Sequence, residues 1–200
     1  MGDGGQPAGG GKVPIYVVEY VAHEQEAVSL SWYENQIIPG LLQTEGYARA
    51  IFQNALPTLT EGEIEAKVAA RLQRQGVLHR EKDPLYGSFI ISEAVLRDRI
   101  GGEGVYRDLL RHQRECADLP GVAIQIMPLG RVHHAGLDGP FILLETPEHQ
   151  HLGYTETQRG GQLFHDPYEV SILSRKYAML RSQALNPEES KRLLDQLGES

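Results

Sequence analysis

Cysteine is nearly missing from this chain. Cys116 is the only one in 200 residues, which excludes an intrachain disulfide and a cysteine zinc cluster and fits a reducing compartment. Long apolar runs are missing too. The longest, such as FILL at Phe141–Leu144, fall far short of the roughly 20 residues needed to cross a bilayer. No charged segment followed by an apolar run opens the chain, so no secretory signal is expected and a cytoplasmic protein without a membrane anchor is. Surplus positive charge is also lacking: 19 Lys and Arg stand against 27 Asp and Glu, for a net charge of -8. A general nucleic-acid surface needs clustered cations to displace counterions from phosphates, so this composition argues against one. The chain carries no G-x-S-x-G, P-loop, G-x-G-x-x-G or H-E-x-x-H signature.

What is present is an ordinary globular composition, 40% hydrophobic and 23% charged. The length suits one domain, and a chain of this size buries about 70% of its unfolded surface. Residues 1–12 are half glycine without apolar periodicity and read as a disordered tail or linker. Residues 13–200 read as one effector domain.

Val13–Tyr20 is rich in β-branched and aromatic residues and favours a strand, with a helix ending near Ala27 as the alternative. Val28, Leu30 and Trp32 alternate with Ser29, Ser31 and Tyr33, the period of a half-buried strand. Pro39-Gly40 is expected to end that strand. Thr44 caps a helix carrying Ala48, Ile51 and Phe52 on one face. Thr60 and Glu63 form a capping box that opens a second helix, striped by Ile64, Val68 and Leu72 and stopped at Asp83-Pro84. LYGSFIIS is a strand and SEAVLRDRI a short helix. After Gly101-Gly102 comes a third amphipathic helix through VYRDLLRHQRECADL, then four strand-like segments, VAIQIMPL, GPFILLET, HLGYTETQ and GQLFH. Asp166 with Pro167, and Asn186 with Pro187, start two closing helices. The order predicts an α+β fold: a mixed, largely antiparallel sheet of about five or six strands, backed by amphipathic helices, with a helical C-terminus.

Several blocks together resemble one family. They are HEQEA at His23–Ala27, IIPGLLQTEGYARA at Ile37–Ala50, RLQRQGVL at Arg71–Leu78, ISEAVLR at Ile91–Arg97, VAIQIMPLG, HAGLDGPFILLE at His134–Glu145, YTET at Tyr154–Thr157 and LNPEES. From about Glu19 to the C-terminus the chain is similar to the uncharacterised, antitoxin-like effector domain of actinomycete Xre/Cro-type helix-turn-helix regulators. In those regulators a DNA-binding helix-turn-helix precedes this domain, and here Gly-rich residues occupy its place. The resemblance implies a regulatory sensor or interaction domain that binds no operator DNA by itself. Its implied partners are a small acidic protein or a small-molecule effector, and a homodimer built on the Leu-rich C-terminal helices fits the same role. No cofactor is implied.

The residues suggest where binding could occur. Tyr154 and Glu156 share one face of a strand. If that face is the sheet interior, Glu156 is a buried carboxylate in need of a donor, with Arg71 and Arg74 as plausible partners. Glu24 is a similar case. His134 and Asp138 lie in a glycine-bracketed loop and either line a pocket or hold the loop by hydrogen bonds. Trp32, Tyr33, Gln43, His134 and Tyr154 are the groups a small-molecule pocket would draw on. The alternative is a biosynthetic enzyme using His134, Asp138, Tyr154 and Glu156 for acid–base work, which requires the four to converge in one pocket. His149-Gln150-His151 on a strand would point both rings to one face, a weak metal signal that reads better as surface decoration. His112 and Cys116 fall on a helix stripe and read as core. Gln43 is the one polar residue of IIPGLLQT whose purpose the local pattern does not supply.

Overall fold

The structure is a computed structural model that describes residues 15–158 and 160–199; the Gly-rich segment 1–12 lies outside the described residues. Helix α1, Ile15–Glu26, leads into strand β1, Ser29–Glu34. A 3₁₀ turn, Gly40–Leu42, precedes α2, Glu45–Gln53, and α3, Glu61–Arg74, which tightens into a second 3₁₀ turn at Gln75–His79. Strand β2, Tyr86–Ser92, runs into α4, Glu93–Arg97, followed by α5, Glu103–Cys116, and β3, Val122–Met127. Strands β4, Phe141–Glu145, β5, His151–Thr157, and β6, Gly160–Phe164, come in series before α6, Pro167–Gln183, and α7, Pro187–Gly198.

The six strands form one mixed sheet in the order β3-β2-β1-β4-β5-β6. β1 pairs in parallel with β2, and β2 with β3; the β1–β4, β4–β5 and β5–β6 pairs are antiparallel. Alternation sorts the side chains onto two faces. Leu30, Trp32, Phe89, Ile91, Ile124, Ile126, Ile142, Leu144, Leu152 and Tyr154 share the larger core with α1, α5, α7 and the Pro39–Thr44 segment. Tyr33, Ile90, Met127 and Phe141 face α6, where Tyr177 and Leu180 meet them. The sheet is therefore a layer between α6 and the remaining helices.

The helix starts follow local chemistry. Thr44 Oγ1 accepts from Tyr47 N, and Thr60 with Glu63 closes a capping box. Asp166 accepts from the first amides of α6, and Asn186 with Glu189 closes a second box on α7. These caps satisfy amides that have no partner within the helix.

Three local expectations are corrected, the first being the helix expected to run to Asp83-Pro84, which ends at Arg74 and gives way to the 3₁₀ turn. Ile15–Glu26 is helix, not strand, because Tyr20 and Glu24, one turn apart, are both buried and tied to other elements; tertiary contacts outweigh the β propensity of the preceding residues. The alternative ending near Ala27 is the one adopted. Pro39-Gly40 does not end β1, which stops at Glu34, but opens the 3₁₀ turn. In the Leu-rich C-terminal helices expected to form a dimer face, Leu180, Leu194 and Leu197 lie inside the chain's own core. The large apolar side chains α6 leaves exposed are Tyr168 and Met179. Among the described residues no helix is long and apolar enough to cross a membrane.

Candidate functional site

The block IIPGLLQT and the helix segment RLQRQ, read above as separate markers, are two sides of one structure. Arg71 and Arg74 sit in the last turns of α3, and Gln75 follows them. Gly40 packs directly on Arg71: a Cβ there would lie 3.1 Å from Arg71 Nη1 and 3.2 Å from its Cδ, so a side chain at position 40 would press on the guanidinium. Gln43 is fully buried. Its Nε2 donates to Ile38 O at 2.7 Å, and its Oε1 accepts from Arg71 Nη1 at 2.9 Å. Gln75 Nε2 bridges Gly40 O at 3.1 Å and Gln43 O at 2.7 Å. The turn is thus clamped onto α3 by amides. Gln43 both braces the turn and holds the arginine.

Helix α1 is fastened to the same end of α3. The Glu24 carboxylate is completely buried and accepts from Arg74 Nε and Nη2, both at 2.8 Å, and from Tyr20 Oη at 2.7 Å. Gln25 Nε2 donates to Arg74 O at 3.0 Å, and Arg80 Nη1 caps the end of α1 at Gln25 O, also 3.0 Å. The Tyr20 ring stacks on Tyr154 at 4.2 Å between centroids. Burial, reinforced by the Glu24 charge, pushes the Tyr20 phenol well above its ordinary pKa, so it stays a donor. Burial opposes the Arg74 charge, yet the Glu24 bonds outweigh it and its pKa lies above the usual guanidinium value.

Arg71 is different. Burial lowers its pKa, and the Arg74 cation works in the same direction. Among the described residues no carboxylate forms an ion pair with it. Its side-chain partners are the neutral Gln43 amide and the Phe52 ring, whose centroid lies 5.2 Å from Cζ. Lys67 Nζ stands 5.9 Å from that centroid. Arg71, Phe52 and Lys67 line an open cleft of about 460 Å³ whose walls also include Val21, Gln25 and Arg74. Glu156 acts on both guanidiniums from a distance without pairing with either.

A family model for a domain of unknown function, DUF5753, matches residues 17–196. The chain belongs to the DUF5753 family. No curated protein and no solved structure matches it. In this DUF5753 domain the blocks at Ile37–Ala50 and Arg71–Leu78 meet in one place, so steric and hydrogen-bonding demands account for Gly40, Gln43 and Arg71 together.

The structure brings Glu24, Gln43, Arg71, Tyr154 and Glu156 to one region, with Trp32 in the adjoining core, and separates them from His134 and Asp138. Glu156 is exposed, so the condition for a buried carboxylate there is not met; beyond Tyr154 β5 has β6 but no longer β4 as a neighbour, and Glu24 is the buried carboxylate instead. His134 Nδ1 accepts from Gly136 N at 3.2 Å, and Asp138 pairs with Lys176 of α6. That loop lies on the α6 side: a Cβ at Gly136 would sit 2.3 Å from the Tyr33 ring, and Gln183 Oε1 accepts from Ala135 N. Tyr154 lies on the opposite face, so the acid–base quartet does not converge. The pocket built on Trp32, Tyr33, Gln43, His134 and Tyr154 does not form either. Trp32 and Tyr33 point to opposite faces, and Trp32, Gln43 and Tyr154 are buried within packed core.

His149 is in a left-handed turn (φ 61°) beside Glu145, with 2.7 Å between Nδ1 and Oε1, and only His151 belongs to β5. The two rings therefore do not share a strand face. No group of three or more metal-ligating side chains is gathered among the described residues. A larger hollow, about 690 Å³, lies between β5 and the start of α6, but His151, His165, Ser171 and Ser174 there are all exposed, and the Ser174 hydroxyl is spent on Val170 O of its own helix.

The sequence reading offered Arg74 as a carboxylate partner but missed Tyr20, Phe52, Lys67 and Gln75 as members of the site. The signals were present in the i, i+3, i+4 spacing of Arg71, Arg74 and Gln75, and in the one-turn spacing of Tyr20 and Glu24. Burial raises the Cys116 thiol to about 11, while burial lowers the pKa of neighbouring His112, 3.5 Å from the sulfur. The thiolate is the reactive form, so at pH 8 a thiol-specific disulfide reagent will label Cys116 only on unfolding. Stoichiometric labelling of the native chain within minutes would contradict the buried thiol.

Proposed function

We propose that this chain is a non-enzymatic regulatory domain that binds a partner protein or a small ligand through the cleft between α1, α2 and α3, and passes that state to gene expression. Arg71 carries the reading. Charges withdrawn from solvent are ordinarily paired, and this half-buried one is held by a neutral amide over an aromatic ring, with its charge facing an open cleft. On a chain of net charge -8, such a cleft attracts acidic groups that the rest of the surface repels. The resemblance to effector domains of actinomycete Xre/Cro-type regulators supports the regulatory setting, and it supplies the first partner to try, the small acidic protein usually encoded beside those regulators. The tie from the cleft to α1 through Glu24 and Arg74 offers a route for the signal.

The test is native co-purification of the full chain with that neighbouring acidic protein. The expected result is a complex that weakens as salt rises and weakens again in Lys67→Gln, since exposed charges are screened over about 10 Å at 0.1 M salt. Clean separation of the two proteins at low salt would remove the protein-partner reading.

A further inference from the structure

We infer that the cleft is an oxyanion site: it takes a carboxylate or phosphate group carried on an apolar body, with the anion on Arg71 and Lys67 and the body against Phe52 and Val21. This rests on the cleft being the domain's recognition site, and it names the chemistry recognised there.

The donors are countable. A guanidinium has five N–H donors in a rigid fork. Arg71 uses Nη1 on Gln43, and no other side-chain hydrogen bond is made from it among the described residues. Arg74 uses Nε and one N–H of Nη2 on Glu24, leaving the second N–H of Nη2 and both of Nη1. Lys67 is exposed and in no ion pair among the described residues, with Glu63 one turn earlier as a charged neighbour and its ammonium near the Phe52 ring. The cleft therefore holds three cations, of which Glu24 neutralises one. Glu156 stands outside ion-pair distance of both arginines. Two unspent cations beside an aromatic wall match an oxyanion, because a planar fork binds carboxylate or phosphate oxygens two at a time. Pre-positioning matters equally: Gln43 and Gly40 hold the Arg71 guanidinium before any ligand arrives, so little side-chain entropy is lost on binding. The volume, about 460 Å³, suits a ring-sized body.

Phenyl phosphate and benzoate serve as probes, with benzyl alcohol as their neutral counterpart. They are titrated into the full chain while arginine Nε–H and backbone amide signals are followed by NMR. Saturable shifts are expected at Val21–Gln25 and Lys67–Gln75 for both anions, and none for benzyl alcohol. Lys67→Gln, at an exposed position, should weaken phenyl phosphate roughly two- to five-fold. Arg71→Gln, shown to be folded by its amide spectrum, should weaken it roughly ten-fold or more. No saturable shift with either anion, or equal affinity in wild type and Lys67→Gln, would overturn the site. The variants separate this inference from the proposed function. If the acidic partner still co-purifies with variants that have lost phenyl phosphate, the oxyanion site stands and partner binding at the cleft is removed.

Discussion

Replacing Glu24 with alanine will lower the unfolding free energy by about 3–5 kcal/mol, the usual loss when one member of a buried ion pair is removed. The wild-type carboxylate has no solvent exposure and takes three hydrogen bonds, two from Arg74 and one from Tyr20. Alanine leaves a guanidinium and a phenol without their acceptor in the core. Arg74 keeps 20% of its side chain in water, which places the loss toward the lower end of that range. A second variant, Glu24→Ala with Arg74→Met, removes both charges and should recover part of the loss, since an apolar replacement of both partners is often neutral. Urea denaturation measures both. The midpoint should fall at unchanged slope in the single variant, because the surface exposed on unfolding is the same. A loss under about 1 kcal/mol in Glu24→Ala, below the range for a buried pair, would show that the pair does not hold α1.

Gln43→Leu will cost about 2–4 kcal/mol. Leucine keeps most of the volume and removes two polar contacts of a fully buried side chain. Ile38 O loses its donor, and Arg71 loses its only hydrogen-bond acceptor among the described side chains. The second loss is the larger, because bonds to charged groups contribute roughly twice as much as neutral ones. The same variant should weaken phenyl phosphate, because Arg71 is no longer held. A stability change within about 0.5 kcal/mol, the range of an ordinary surface substitution, would mean that Gln43 neither braces the turn nor holds the arginine.

How legible all this is in the sequence depends on distance along the chain. The helix caps at Thr44, Thr60, Asp166 and Asn186 are read directly, because a cap and its amides lie within four residues. The strands at Ser29–Glu34, Tyr86–Ser92 and Val122–Met127 are legible for a similar reason: the alternation of the first and third and the short apolar run of the second are local patterns, although the folded sheet buries consecutive residues in all three. Ile15–Glu26 is where local reading leans the wrong way. Its residues suit a strand, and only the docking of Tyr20 and Glu24 onto β5 and α3 selects the helix.

Apart from the two 3₁₀ turns, the sequence alone settled the strands and helices downstream of Ala27, the caps, the α+β class and the acidic charge balance, because each depends on neighbours in the chain or on composition. Only the tertiary structure decided the strand order β3-β2-β1-β4-β5-β6 and the separation of His134 and Asp138 from Tyr154 and Glu156. It also decided which residues meet at the candidate site, because Gln43 and Arg71 lie 28 positions apart and Glu24 and Arg74 lie 50 apart. Composition shows that such groups exist. Which acid meets which base, and which arginine is left without one, is set by packing in three dimensions, since an ion pair depends on separation in space and not along the chain.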